Sequence, residues 1–227
     1  MGFKIAIDGP AGAGKSTMAK AIASKLNYIY IDTGAMYRAM ALFLIRNGID
    51  SLEEEKISRK CQEADITIQH VNGEQIVYLN EENVSTLIRT EQVGNMASAS
   101  SVNRDVRQKL VELQRKLAET DDVVMDGRDI GTQVLPDADL KIYLTADPEV
   151  RAKRRYAELL EKGMDADFEK IKADIVERDH RDMTREISPL KKAEDAILLD
   201  TSEFEIEQSI ASILGLYEAC LKNKNKE

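Results

Sequence analysis

Lys4-Ile-Ala-Ile-Asp8-Gly9-Pro10-Ala11-Gly12-Ala13-Gly14-Lys15-Ser16-Thr17 is the stretch on which the fold turns. Lys4 to Asp8 is a short apolar run of the kind a buried strand needs. Gly9 to Ser16 match G-x-x-x-x-G-K-[ST] in full, and from Gly14 to Leu26 Ala, Met and Ile share one helical face. Strand, glycine-rich turn and helix in that order make a phosphate cradle. The glycines let successive backbone N–H groups curl around phosphate oxygens, and the helix N-terminus adds positive potential. Lys15 reaches the outer phosphates, Ser16 is the expected ligand for Mg2+, and Pro10, Ala11, Gly12, Ala13 and Thr17 complete the wrapping segment. Such an ion usually also needs a carboxylate at a neighbouring strand end. Asp126, closing Val-Val-Met-Asp, fits that position, and Asp8 stands at the mouth of the loop.

The pattern continues outward. Tyr28 to Asp32 reads as a second strand and Ala35 to Arg46 as a helix stopped by Asn47-Gly48, and this βαβα alternation implies a parallel sheet. Ser51-Leu-Glu-Glu opens a further helix to about Glu63. The period then switches to two. Asp65 to Val71 and Glu74 to Leu79 alternate around Asn72-Gly73, a hairpin signal, with a third short strand near Asn83 to Ser85. An antiparallel insertion within a parallel α/β chain follows. Thr90 to Ala99 reads as helix or loop, and Val102, Val106, Leu110, Leu113 and Leu117 mark an amphipathic helix to Glu119. Val123 to Asp126 and Leu140 to Thr145 are strands. Asp147-Pro148 starts a helix ending before Gly163, a charged helix spans about Phe168 to Arg185, Ala196 to Leu199 is the last strand, and Glu205 to Leu221 the closing helix. The Lys/Asn-rich tail after Cys220 is expected to fray.

Composition agrees with one main core carrying an insertion. Of 227 residues, 43% are hydrophobic and 32% charged, which excludes a disordered or fibrous chain. The longest apolar run, Met40 to Ile45, is far short of the roughly 18 residues that span a bilayer, and no signal-peptide core precedes it, so a cytosolic location is expected. Cys61 and Cys220 are far apart, as are His70 and His180, which argues for reduced thiols and against structural zinc. The net charge of −9 argues against nucleic acid or an anionic membrane as partner. The stretch Arg151 to Lys192 runs against this trend, with 12 basic and 10 acidic residues. An anionic ligand would be drawn there, although a solvated pair of mixed-charge helices accounts for the same count. The Asp-x-x-Gly and Asn-Lys-x-Asp motifs of a switch GTPase are missing, so a small-molecule kinase is the leading reading. A kinase of the UMP/CMP, shikimate or dephospho-coenzyme A type remains the alternative, with a non-catalytic nucleotide switch well behind.

Four segments in register are more specific. Ile7 to Thr17 (IDGPAGAGKST), Ile31 to Arg38 (IDTGAMYR), Asp126 to Thr132 (DGRDIGT) and Glu177 to Leu190 (ERDHRDMTREISPL) together closely resemble the bacterial cytidylate kinase family. The resemblance covers essentially the whole chain. It implies an α/β P-loop fold with a five-stranded parallel sheet flanked by helices, a small antiparallel NMP-binding insertion and a helical LID. The corresponding parts are a CORE of residues 1–64, 86–150 and 186–227, the insertion at 65–85, and the LID with charged helices at 151–185. The activity implied is phosphorylation of CMP and dCMP by ATP with Mg2+, in a monomer. The acceptor phosphate is itself the nucleophile, so arginines should outnumber bases. By resemblance, Arg38, Arg128 and Arg185 clamp the CMP phosphate. Lys15, Arg128, Arg154 and Arg185 would be catalytic, with Arg154 the chief of the LID residues Arg151, Arg154 and Arg155. Asp129 would accept from the cytosine amine, with Arg107 and Ser98 on the remaining base edge and Arg178 and Asp182 on the ribose. Asp126 lies beside the acceptor. Tyr37 either flanks the nucleotide or belongs to the core. Thr33 stands where serine is also common and keeps the hydroxyl, and His180 is expected at the surface.

Overall fold

The computed structural model describes residues 2–71 and 73–224. In chain order the elements are β1 (Lys4–Asp8), α1 (Lys15–Leu26), β2 (Ile29–Asp32), α2 (Thr33–Arg46), α3 (Glu54–Lys60), β3 (Ile66–Val71), β4 (Glu74–Leu79), β5 (Glu82–Asn83), α4 (Glu91–Ser100), α5 (Arg104–Leu117), β6 (Val123–Gly127), β7 (Leu140–Thr145), α6 (Pro148–Glu161), α7 (Phe168–Thr184), β8 (Ile197–Asp200) and α8 (Ile206–Lys224). A five-stranded parallel sheet runs β2-β6-β1-β7-β8, and a separate antiparallel sheet runs β3-β4-β5. The α/β class, the parallel sheet and the antiparallel insertion are those expected from the sequence. Among the described residues no helix is long and apolar enough to cross a membrane.

The chain divides into two compact units, one of Gly2 with Ile29–Val123 and the other of Phe3–Tyr28 with residues from Val124 onward. In the first, β3 and β4 pair from Ile66 opposite Leu79 to Val71 opposite Glu74. Asn72, half of the hairpin signal, lies outside the described residues. Met36, Ala39, Met40 and Leu44 of α2 are fully buried. Asp32 caps that helix by accepting from Ala35 N–H at 3.0 Å, and Asn103 caps α5 by accepting from Asp105 and Val106 N–H.

Two helix starts fall later than expected. In place of a helix opening at Ser51, Asp50 and Glu53 close a turn of their own, Asp50 accepting from Leu52 N–H and Glu53 from Asp50 N–H, and α3 begins at Glu54. The cap at Asn103 likewise excludes Val102 from α5, leaving it 51% exposed instead of on the apolar stripe. The third short strand ends at Asn83, because the Ser85 hydroxyl takes the Val77 N–H that a longer ladder would have used.

In the second unit β1, β6 and β7 form the core of the sheet, with Ile5, Ile7, Val124, Met125, Ile142 and Leu144 at most 1% exposed. β1 pairs with β7 in parallel, Ile5 opposite Leu140 through Asp8 opposite Tyr143. Near-continuous apolar runs suit strands covered on both faces. α8 carries on through the tail expected to fray, as far as Lys224, and Tyr28 and Tyr217 share a hydroxyl hydrogen bond of 2.8 Å. The sequence pattern assigns no element to Ile130–Val134, which forms one π-helical turn directly after Asp129.

Candidate active site

β1 delivers the chain into the Gly9–Gly14 turn and α1 takes it out. A side chain at Gly9 would collide with the Leu144 carbonyl oxygen at 1.9 Å, so only glycine lets the loop leave the sheet there. Gly14, at φ +84°, caps α1 without a side-chain acceptor, which leaves its first-turn N–H groups suited to an anion. Gly12, Ser16 and Thr17 are exposed along the lip, while Lys15 is buried and donates to the Pro10 carbonyl at 2.7 Å. The Ser16 hydroxyl donates to Asp126 Oδ2 at 2.9 Å, so the loop and the end of β6 meet as the motif requires.

The same unit gathers most of the remaining candidates. Arg128 donates from Nε to Asp182 Oδ2 at 2.8 Å and from Nη1 to the Gly127 carbonyl at 3.3 Å, which fixes the plane of its guanidinium. Arg185 donates from Nε to the Ser188 carbonyl at 2.7 Å and holds Nη2 3.7 Å from Asp129 Oδ1, with both side chains buried. Burial alone would push the Asp182 carboxyl up, but Arg128, Arg178 and Arg185 outweigh it and hold Asp182 below the usual carboxylate range. Lys15 lies well below the ordinary lysine range. Burial drives the shift, Arg128 and Arg178 add to it, and Asp126 and Asp8 oppose it. Such a pocket of crowded cations favours a polyanion as their common partner.

Asp8 does something the sequence alone leaves open. Its carboxylate is 5% exposed and accepts from Ile130 N–H at 2.8 Å and Gly131 N–H at 2.7 Å, so it holds the turn that follows Asp129. Burial pushes its pKa up to about 6, against the pull of those two donors and of Lys15, with Asp129 adding to the rise. Because the folded value lies above that of the unfolded chain, this group's contribution to stability is greatest below about pH 4 and is lost as pH rises through 6. Denaturant titrations should show the wild type losing about 2–3 kcal/mol relative to Asp8→Asn between pH 4 and pH 7. Parallel stability curves for the two proteins would contradict this assignment.

The other unit holds its own group. Thr33, Tyr37 and Arg38 lie on α2, Ser98 on α4 and Arg107 on α5. The Arg107 guanidinium sits over the Tyr37 ring at 5.6 Å from its centroid and donates to the Ser101 carbonyl, and Arg38 donates to the Ile88 carbonyl. Arg107 is 4% exposed, although helical spacing alone would leave it one exposed position among several.

The three LID arginines have three different surroundings. Arg154 donates to the carbonyls of Thr201 at 2.6 Å and Phe204 at 3.3 Å, tying α6 to the chain after β8, and Arg155 pairs with Glu158 on the same helix. Arg151 is buried among backbone carbonyls. A sequence cannot separate these three, because neighbouring positions on one helix point to different surroundings. His180 is exposed, as expected.

A family model described as cytidylate kinase matches residues 5–219. The cytidylate kinase of Caldicellulosiruptor bescii is 50% identical over 222 residues, covering 98% of each chain, and that of Carboxydothermus hydrogenoformans is 49% identical over 214 residues, covering 94% of this chain and 96% of the relative. Among solved structures, an uncharacterized protein from Eubacterium ventriosum aligns with a TM-score of 0.52 at 14% identity over 94% of this chain and 96% of its own. A gluconokinase from Sinorhizobium meliloti aligns at 0.50 and 14% over 99% and 97%. At that identity the structural likeness speaks for the fold alone.

Proposed function

The chain belongs to the cytidylate kinase family, and on that premise we propose a full assignment of donor, metal and residue roles to a kinase that phosphorylates CMP. The donor is ATP, bound by Gly9 to Thr17, and dCMP is a second acceptor. The observation that carries the assignment is the convergence, within one unit, of Lys15, Arg128, Arg178 and Arg185 with Asp126, Asp129 and Asp182.

The chemistry asks little of the protein beyond placement and charge. The nucleophile is a phosphate oxygen of CMP, so no side chain needs to remove a proton from it, and guanidinium forks from Arg38, Arg128 and Arg185 hold the group in line. Lys15 neutralises the outer phosphates of the donor. Ser16 and Asp126 supply hydroxyl and carboxylate oxygens, a hard donor set that fits Mg2+, which would add charge neutralisation when bound. Asp129 accepts from the cytosine amine while Arg107 and Ser98 serve the other base edge, Asp182 and Arg178 hold the sugar, and Thr33 and Tyr37 line the acceptor side. Arg154 would join the phosphates only by leaving Thr201, as closure of the lid within the charged helices at 151–185 would require. That lid, the insertion at 65–85 and the remaining core make up the three-part organisation we assign. Cys61 and Cys220 are free thiols, in keeping with a reducing compartment, and we place a monomeric enzyme in the cytosol.

A coupled assay with ATP and CMP, dCMP, UMP, AMP or GMP tests the proposal. Turnover with CMP should exceed that with AMP or GMP by about 10²-fold or more, because a pocket with built-in hydrogen-bond partners rejects a mismatched base by at least that factor. Comparable rates with a purine monophosphate would refute it.

A further inference from the structure

The phosphate-binding loop is gripped by two residues that its motif does not include. Arg151 on α6 donates from Nη1 to the Ala11 carbonyl at 2.7 Å and from Nε to the Ala146 carbonyl at 2.8 Å. Its Nη2 meets Asp179 Oδ2 on α7 at 2.6 Å, and Asp179 Oδ1 in turn accepts from Ala11 N–H at 3.2 Å. The result is a closed ring in which both polar groups of Ala11 are held by one ion pair. Arg151 is 3% and Asp179 8% exposed, and a Cβ on the next loop residue, Gly12, would lie 3.5 Å from Arg151 Cβ and 3.8 Å from Ile175 Cδ1. α6 and α7 therefore pack directly against the loop.

A buried ion pair is a poor source of stability, because desolvation offsets most of its attraction, whereas it is effective at enforcing one geometry when every donor and acceptor is met. The loop needs such enforcement. Gly9, Gly12 and Gly14 all sit at positive φ, in backbone that is permissive by composition, and amides aimed at an anion are most effective when already in place. We propose that Arg151 and Asp179 are positioning residues for the donor: by pinning the Ala11 peptide at both ends they set the direction of the loop amides that follow. Arg151 is then a fixed support of the loop and not one of a set of mobile lid charges. Asp179 lies one helical turn before Asp182, so the same face of α7 serves the loop and Arg128.

The inference rests on the reading that residues 9–17 bind ATP, and the test separates the two. Steady-state kinetics of the full chain, with ATP and CMP varied in turn, are compared for wild type, Arg151→Lys and the double variant Arg151→Met/Asp179→Leu. The double variant removes one charge of each sign, so the local net charge is unchanged, and apolar replacement of a buried pair commonly preserves the fold. Arg151→Lys keeps the charge but lacks the fork that reaches two carbonyls and a carboxylate together, and it reads the same contact should the double variant not fold. Both should raise KM for ATP by about tenfold or more, leave KM for CMP within about twofold, and melt within a few degrees of wild type. An unchanged KM for ATP in either folded variant, or equal rises for ATP and CMP, overturns the proposal. Calorimetric ATP binding to Lys15→Ala is the control. If that variant binds ATP as wild type does, the loop reading itself fails; if it binds weakly while the Arg151 variants bind normally, only the present inference fails.

Discussion

Lys15→Ala lowers turnover by about 10³-fold while the protein stays folded. In the role proposed for it the ammonium faces the charge that develops on the transferring group, and deleting a preorganised charged donor at such a place costs on the order of 4 kcal/mol in the barrier. The fold does not need it. Burial, with the Arg128 charge adding to it, holds Lys15 well below the ordinary lysine range, so the charged side chain is a burden on the folded state. An unfolded lysine titrates near 10.4, so between the depressed folded value and that pH the unfolded chain carries more protons. Wild-type stability therefore rises with pH across this window, and the Lys15→Ala variant should lack that rise. Single-turnover kinetics at saturating ATP and CMP measure the first effect, and denaturant titrations at pH 7 and 9.5 the second. Turnover within tenfold of wild type would remove the loop from the mechanism.

Asp129→Asn collapses the preference for CMP over UMP by about 10²-fold. The carboxylate is 5% exposed, so whichever base edge it faces is desolvated, and a mismatch there leaves polar groups unpaired. An ionised carboxylate only accepts. It suits the cytosine amine and repels the uracil carbonyl, whereas an asparagine amide can donate to that carbonyl. The substitution is close to isosteric and leaves Arg185, 3.7 Å away, with an oxygen partner, so the comparison is one of recognition. The ratio of kcat/KM for CMP to that for UMP is the readout. A ratio unchanged in a variant that melts like the wild type assigns base reading elsewhere.

Much of this is legible residue by residue. β1, β4 and β7 have the bounds their patterns predict, and the cap at Asp147 stands where Asp147-Pro148 puts it. The starts of α3 and α5 elude pattern because local side-chain hydrogen bonds set them: Asp50 and Glu53 close a separate turn ahead of α3, and Asn103 caps α5 one residue after Val102, which apolar spacing alone does not register. The π turn at Ile130–Val134 escapes because its stabilisation comes from Asp8, more than a hundred residues earlier in the chain.

Sequence by itself determined the phosphate loop, the alternation of strands and helices around it and the inserted hairpin, since each depends on neighbours a few positions apart and on the conformational freedom of glycine. Tertiary structure alone decided what each charged side chain does. It set Arg128 against Asp182, 54 residues away, bound Arg154 to Thr201, and closed Arg151 and Asp179 around Ala11, 168 residues from that aspartate. The physical reason is that an arginine carries the same charge wherever it stands, and its function follows from the oxygen that folding brings opposite it.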